Sequence, residues 1–204
     1  QNVTSKNLIL ANRWELHNAY GCVTGVSGSG KSFTAKREMV GLALSTEDDI
    51  IVIAPESEYR PLIEGLGGEV VSISATSPNH INAMDMEQGY GDGENPVVLK
   101  SEFILSLCEQ LMGAGKLSAK EKSIIDRCTA LCYQDYIRGG WTGTPPTLRD
   151  FHAELLRQPE AEARDVALAI ELFTEGSLNT FAKPTNVNTS ARILCYDIRD
   201  LGKQ

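Results

Sequence analysis

Apolar and polar residues alternate along the chain in two different patterns. In the first hundred residues, short apolar runs at 20–24, 50–54 and 69–74 are separated by polar turns and predict strands. The run Ile50–Ala54 is continuous, β-branched and followed by Pro55, which is typical of a strand covered on both faces of a parallel sheet. Apolar residues recur at helical spacing after Lys31 and again over 59–66, so helices are predicted between the strands.

Helical periodicity dominates from about residue 95 to about residue 181. The first of these helices is predicted over 97–112, with an apolar face formed by Leu99, Phe103, Leu107 and Leu111. Two capping boxes, Ser118 with Glu121 and Thr147 with Asp150, mark the starts of two more helices. A fourth helix is predicted over 160–174, and the strand Ile193–Tyr196 follows. These elements predict an α/β fold in which a sheet domain (1–94) is interrupted by a helical insertion (95–181) and resumes over 182–204.

Composition excludes several classes of protein. The 204 residues are 42% hydrophobic and 23% charged, as in ordinary globular domains. No apolar stretch approaches the roughly 18 residues that a membrane-spanning helix requires. The net charge of −8 argues against a surface that binds nucleic acid through counterion release. The five cysteines form no C-x-x-C pair, which favours reduced thiols in a cytosolic protein over disulfides or a zinc site.

One segment carries recognisable chemistry. Residues 25–32, Gly-Val-Ser-Gly-Ser-Gly-Lys-Ser, match the phosphate-binding pattern G-x-x-x-x-G-K-[ST]. Glycines permit positive φ angles, so that successive backbone amides can point inward around phosphates. We expect Lys31 to reach the β- and γ-phosphates of ATP, Ser32 to ligate Mg²⁺, and the helix that begins at Lys31 to add its positive dipole end. The expected binding residues are Gly25, Ser27, Gly28, Ser29, Gly30, Lys31, Ser32 and Phe33.

Two other interpretations of this segment are weaker. A flexible Gly/Ser turn would not require a strand before it and a helix after it, and the sequence predicts both. The dinucleotide fingerprint G-x-G-x-x-G fails, because Phe33 occupies the position of its third glycine.

Hydrolysis of a triphosphate also needs a carboxylate that holds Mg²⁺ and a polar group that orients water. Asp197 directly follows the predicted strand Ile193–Tyr196, which is the pattern of a Walker B strand, although a surface aspartate at a strand end has the same pattern. Glu56 and Glu58 follow the strand Ile50–Ala54 and could face a γ-phosphate, or they could lie on a solvated loop. Lys31, Glu58 and Asp197 are therefore the candidate catalytic residues.

Beyond the phosphate loop, several sequence blocks resemble the large cytoplasmic ATPase of conjugative type IV secretion systems, in the version carried by conjugative transposons of Gram-positive bacteria. The blocks extend over almost the whole chain: Phe33–Glu38, Pro55–Tyr59, Ser77–Asn82, Leu99–Leu107, Gly176–Phe181 and Tyr196–Gln204. The phosphate loop is shared by many ATPases, whereas these flanking blocks are far more specific.

The resemblance implies a RecA-like P-loop motor domain of the FtsK/HerA branch, with an all-helical subdomain inserted into the sheet. It implies ATP and Mg²⁺ as cofactors and a peripheral position at the cytoplasmic face of the cell membrane. Members of this family are usually hexamers, act with other secretion-system subunits, and couple ATP hydrolysis to channel or pilus assembly and to substrate transfer.

The chain departs from the family pattern in two ways. Ala54 stands where the family usually has an aspartate before the Pro-Glu-x-Glu-Tyr block. The family's Walker B pair and its later glutamine and arginine motifs would lie beyond Gln204, and its N-terminal docking domain has no counterpart, so we expect a partial chain with slow hydrolysis by itself. In that case Asp197 belongs to the strand before the true Walker B strand.

Three alternatives remain open on the sequence. The chain could be a small-molecule kinase whose helical insertion is a lid, or a non-hydrolysing module in which bound nucleotide stabilises a scaffold. A DNA-translocating motor is the third, but the acidic composition gives no support for strong direct DNA binding by this piece alone.

Overall fold

The computed structural model describes residues 4–5, 15, 17–91 and 93–201. The chain divides into two units, one ending at Glu47 and the other beginning at Asp48. In the first unit an irregular segment leads through a turn at 27–30 into helix α1 (Lys31–Ser45), which confirms the helix predicted there.

The strand predicted over 20–24 is wrong. These residues are irregular and exposed, and the Tyr20 amide donates a hydrogen bond to the side chain of Asn18, 2.8 Å away. A β-strand needs a neighbouring strand to exchange backbone hydrogen bonds with, and β-propensity by itself does not supply one. None of the side chains of α1 is buried either, although its apolar residues recur at helical spacing.

The second unit contains a parallel sheet of three strands in the described part of the chain. These are β1 (Ile50–Ala54), β2 (Glu69–Ser72) and β3 (Ile193–Asp197), in the spatial order β1-β3-β2. The short helix α2 (Arg60–Gly65) connects β1 to β2. In the register of the sheet, Asp197 lies beside Ala54 on one side and beside Ser72 on the other. The carboxyl ends of all three strands therefore meet at one edge, as predicted for a parallel sheet.

The expectation that Ile50–Ala54 is covered on both faces is wrong. Ile50, Val52 and Ala54 are buried, but Ile51 and Ile53 are each 66% exposed. Successive side chains of a strand point to opposite faces, and in the second unit only one face of β1 is covered. The central strand β3 is different, since four of its five residues are buried.

Four long helices lie in the chain between β2 and β3: α3 (Pro96–Met112), α4 (Ala119–Arg138), α5 (Leu148–Arg157) and α6 (Ala161–Thr174). A short 3₁₀ helix, Asn179–Phe181, follows them. Both predicted capping boxes are present at the starts of α4 and α5. The helices share a core with the loop before them, and its fully buried members include Met84, Ile104, Ile125, Phe151, Leu155 and Val166. None of the described helices is long and apolar enough to cross a membrane.

The buried side of α3 differs from the predicted one. Its buried residues are Lys100, Ser101, Ile104 and Cys108, whereas Phe103 is 43% exposed. Phe103, Leu107 and Leu111 instead line an apolar cavity of about 580 Å³. Ser101 on the buried side donates a hydrogen bond to the carboxylate of Asp126 in α4, so this side of α3 faces α4. The domain limits predicted at 94/95 and 181/182 remain predictions.

Candidate functional site

The glycine-rich loop adopts a conformation that favours glycine at two positions. Gly28 and Gly30 have φ angles of +79° and +89°, in the left-handed region that residues with a Cβ rarely adopt. At Gly25 the approach is close for a different reason: a Cβ atom there would lie 2.4 Å from Oγ of the exposed Ser29, whose side chain would have to rotate away. The Ser29 amide donates to the carbonyl of Val26 at 3.2 Å, which closes the loop into a turn.

Helix α1 begins at the end of this loop, with Lys31 as its first residue and Gly30 as its N-cap. Because Gly30 has no side chain, nothing caps the first turn from that position, and the positive end of the helix dipole faces the loop. Nζ of Lys31 folds back over the loop and donates to the carbonyl oxygens of Gly25 and Val26, each at 3.0 Å. Backbone amides and one ammonium group are thus concentrated at a single turn.

The remaining residues predicted for this loop occupy different environments. Ser27 and Ser29 are exposed, Ser32 is half-buried in the first turn of α1, and Phe33 is exposed. A Cβ added at Gly28 or Gly30 would meet nothing within 4 Å, so open space adjoins the loop backbone at both positions. The loop fits a polyphosphate with Mg²⁺: it combines a positive-φ glycine backbone, a helix start, an ammonium group and a nearby hydroxyl.

A second group of polar residues lies at the carboxyl edge of the sheet in the second unit. Asp197 is only 8% exposed, and its two carboxylate oxygens share the hydroxyl hydrogen of Ser57, with Oγ at 2.6 and 2.7 Å. The guanidinium of Arg60 donates to Oδ2 of Asp197 at 3.2 Å and to Oγ of Ser72 at 2.8 Å. We call Ser57, Arg60, Ser72 and Asp197 the carboxyl-edge cluster.

Two opposing effects act on the carboxyl group of Asp197. Burial alone would raise its pKa, but the hydrogen bonds from Ser57, the backbone amide of Arg199 and Arg60 favour the ionised form. The nearby charge of Arg60 acts in the same direction, and the net result is a pKa of Asp197 below its ordinary value. The cluster therefore holds an ionised carboxylate at neutral pH.

Ser57 has a φ angle of +56°, which is unusual for a residue that is not glycine. It lies in the turn between β1 and α2, flanked by the exposed residues Glu56 and Glu58. The structure thus brings Asp197 to the Pro-Glu-Ser-Glu-Tyr turn, and Glu58 follows the residue that contacts Asp197. The catalytic roles expected of Lys31, Glu58 and Asp197 remain predictions.

Sequence reasoning missed Ser57, Arg60 and Ser72 as partners of Asp197. The rule that parallel strands end at one edge could have placed Ser57 and Ser72 near Asp197, but nothing in the sequence signals the left-handed conformation of Ser57. Among the residues that the structure describes, no group of three or more His, Cys, Asp or Glu side chains could hold a metal ion.

Comparison with known proteins gives a match in structure but not in sequence. No protein-family model and no curated protein sequence matches the chain. The fold class is a mixed assembly of helices and a parallel sheet. The chain resembles the solved structure of VirB4 of Thermoanaerobacter pseudethanolicus, with a TM-score of 0.76 and 21% sequence identity over 97% of this chain.

VirB4 is a type IV secretion ATPase, so this comparison confirms at the level of fold the resemblance that the sequence blocks indicate. The chain spans 55% of the length of the VirB4 chain. At this level of identity the comparison establishes the fold alone.

Proposed function

We propose that this chain is the nucleotide-binding part of a type IV secretion ATPase, and that it binds ATP with Mg²⁺ through the loop 25–33. The conformation of that loop carries the proposal: two left-handed glycines and a closely approached Gly25 lead into a helix that begins at Lys31. The VirB4-like fold supports the same class of protein.

In this proposal each part of the loop has a separate task. The amides around Gly28 and Gly30 donate to phosphate oxygens, and the ammonium of Lys31 neutralises the charge of the β- and γ-phosphates. The hydroxyl of Ser32 is a ligand for Mg²⁺, which when bound screens the phosphate charge and withdraws electrons from the γ-phosphorus. Ser27 and Ser29 lie within the same loop, and Phe33 follows in the first turn of α1, so that the binding segment extends from 25 to 33.

At the level of the whole protein, we propose that ATP hydrolysis energises channel or pilus assembly, or transfer of DNA or protein. The protein would act as a hexamer at the cytoplasmic face of the membrane, together with other secretion-system subunits. The fold shared with VirB4 supports this role. The net charge of −8 argues against strong direct DNA binding by this segment.

Calorimetric titration with ATP and Mg²⁺ tests the nucleotide site. Lys31→Ala should weaken ATP binding at least tenfold, because a hydrogen bond to a charged group contributes about 1.5–3 kcal/mol. Arg37→Ala is the matched control, since it removes one positive charge from an exposed position of the same helix. Equal affinities for the wild type and the Lys31→Ala variant would exclude the proposed site, and equal losses in both variants would indicate nonspecific attraction.

A further inference from the structure

Asp197 and Ser57 form a contact that explains an otherwise disfavoured backbone. Residues with a Cβ avoid the left-handed region, yet Ser57 occupies it with a φ of +56°. Such conformations persist only where the surrounding structure holds them. Here the Ser57 hydroxyl lies 2.6 and 2.7 Å from the two oxygens of Asp197, across 140 residues of sequence. The contact ties the turn after β1 to the end of β3.

Three protein donors contact the carboxylate of Asp197. The single hydroxyl hydrogen of Ser57 is shared between Oδ1 and Oδ2, the backbone amide of Arg199 donates to Oδ1 at 3.3 Å, and Arg60 donates to Oδ2. The side chain is only 10% exposed. A magnesium ligand needs an accessible oxygen and room for the several waters that Mg²⁺ retains. A guanidinium 3.2 Å away also opposes the approach of a second cation.

We infer that Asp197 is a positioning residue and not a ligand of Mg²⁺: it holds Ser57 in the left-handed conformation and so fixes the turn that carries Glu56 and Glu58. This inference rests on the proposed function only in treating Glu56 and Glu58 as candidate residues of an ATPase. In open α/β sheets, ligands bind outside the carboxyl ends of the strands, and the two glutamates leave the turn at that edge. A fixed backbone holds the Cα atoms of Glu56 and Glu58 in place and so limits where their carboxylates can lie.

Arg60 connects the Asp197 carboxylate to the neighbouring strand β2 and to α2. Its guanidinium connects Asp197 of β3 to Ser72 of β2, and it also contacts Glu64 one turn along α2. The ends of two strands and the start of α2 are therefore joined by one cation and one carboxylate. Glu64 is exposed and does not touch the turn, which makes Glu64→Gln a matched control for loss of a carboxylate from the neighbourhood of Arg60.

Amide hydrogen exchange without nucleotide tests the contact. Asp197→Ala should accelerate exchange at the amides of 56–59 about tenfold or more, and leave the amides of β1 and β3 near their wild-type rates. Glycine adopts the left-handed conformation without help, so in a Ser57→Gly background the same substitution should change these rates less than threefold. Glu64→Gln should leave them unchanged. Equal acceleration in both backgrounds would overturn the inference, as would a uniform rise across the sheet.

Two further measurements keep the test decisive. If Asp197→Ala does not fold, Ser57→Ala removes the same contact from its other partner, and unchanged exchange at 56–59 in that variant would overturn the inference. The Mg²⁺ concentration that half-saturates ATP binding should stay within threefold of wild type in Asp197→Asn. A tenfold rise would identify Asp197 as a metal ligand instead. Failure of the wild-type chain to bind ATP would refute the proposed function, while the nucleotide-free exchange would still decide the role of Asp197.

Discussion

Lys100 and Asp197 are charged residues that are buried in the described part of the second unit, and their surroundings act on them in different ways. Lys100 donates to the carbonyl of Ala83 at 3.3 Å, and its ammonium lies 4.7 Å from the ring centre of Tyr90 and 5.0 Å from that of Phe103. Burial lowers the pKa of Lys100, and the charge of Asp85 opposes this only in part. Asp197 instead receives hydrogen bonds from three donors, which outweigh its burial and lower its pKa. Both pKa values are therefore lowered, but the surroundings disfavour the charged form of Lys100 and favour that of Asp197.

Asp197 should contribute pH-dependent stability. Since its folded-state pKa lies below its unfolded-state value, its contribution is present above the unfolded pKa and is lost as the pH falls through the folded pKa. We expect Asp197→Asn to cost about 1–3 kcal/mol of unfolding free energy at pH 7, and the difference from wild type to shrink below about pH 4. Urea denaturation at a series of pH values measures this. A difference that is independent of pH would show that ionisation of Asp197 does not contribute.

The cysteines should differ sharply in reactivity. Cys22 is exposed, whereas Cys108 and Cys128 are buried, and burial raises the pKa of Cys108 to about 12 and that of Cys128 to about 11. Only the thiolate reacts, so at pH 8 these two thiols should be inert. We expect iodoacetamide to label Cys22 rapidly, and Cys22→Ser to remove the fast phase. Mass spectrometry of digested protein locates the label, and rapid labelling of Cys108 or Cys128 would contradict the burial described here.

At the scale of elements, two glycines of the first unit have opposite roles: one precedes α1 and the other lies inside it. Gly30 has a φ of +89°, whereas Gly41 lies within α1, and a Cβ there would meet nothing within 4 Å. Gly30→Ala should destabilise the chain by about 1–2 kcal/mol and weaken ATP binding, since alanine is strained in this region. Gly41→Ala should stabilise it by about 0.5–1 kcal/mol without changing ATP binding. Thermal unfolding and calorimetry measure both, and equal effects of the two substitutions would contradict the loop geometry.

The elements show which parts of this structure are encoded locally. The starts of α4 and α5 follow from sequence because a capping box contains both partners of its hydrogen bonds within four residues. The buried side of α3 does not, because it depends on which neighbour the helix packs against. The strand predicted at 20–24 failed for a related reason, since pairing is not a local property. In the site, the positive φ angles of Gly28 and Gly30 were predictable from the motif, whereas that of Ser57 depends on Asp197, 140 residues away.

At the scale of the whole molecule, the division into two units separates the two groups of functional residues. The phosphate loop belongs to the unit that ends at Glu47, and the carboxyl-edge cluster belongs to the unit that begins at Asp48. The second unit has its own buried core and its own sheet. The division predicts that folding of the second unit and binding of nucleotide can be measured independently.

A polypeptide of residues 48–204 should fold without the first unit and should not respond to ATP. Ligand that binds only the folded state stabilises it by RT ln(1 + [L]/Kd), about 2.7 kcal/mol at a hundredfold excess over Kd. The intact chain should therefore show an ATP- and Mg²⁺-dependent rise in melting temperature of several degrees, and a tenfold or greater loss of affinity in Lys31→Ala should reduce this rise to about half or less. The 48–204 polypeptide should melt cooperatively at the same temperature with and without nucleotide. Calorimetric scans of the three proteins make the comparison.

A nucleotide-dependent shift in the 48–204 polypeptide would place a binding site outside the loop 25–33. Failure of that polypeptide to fold would show that the second unit depends on the first.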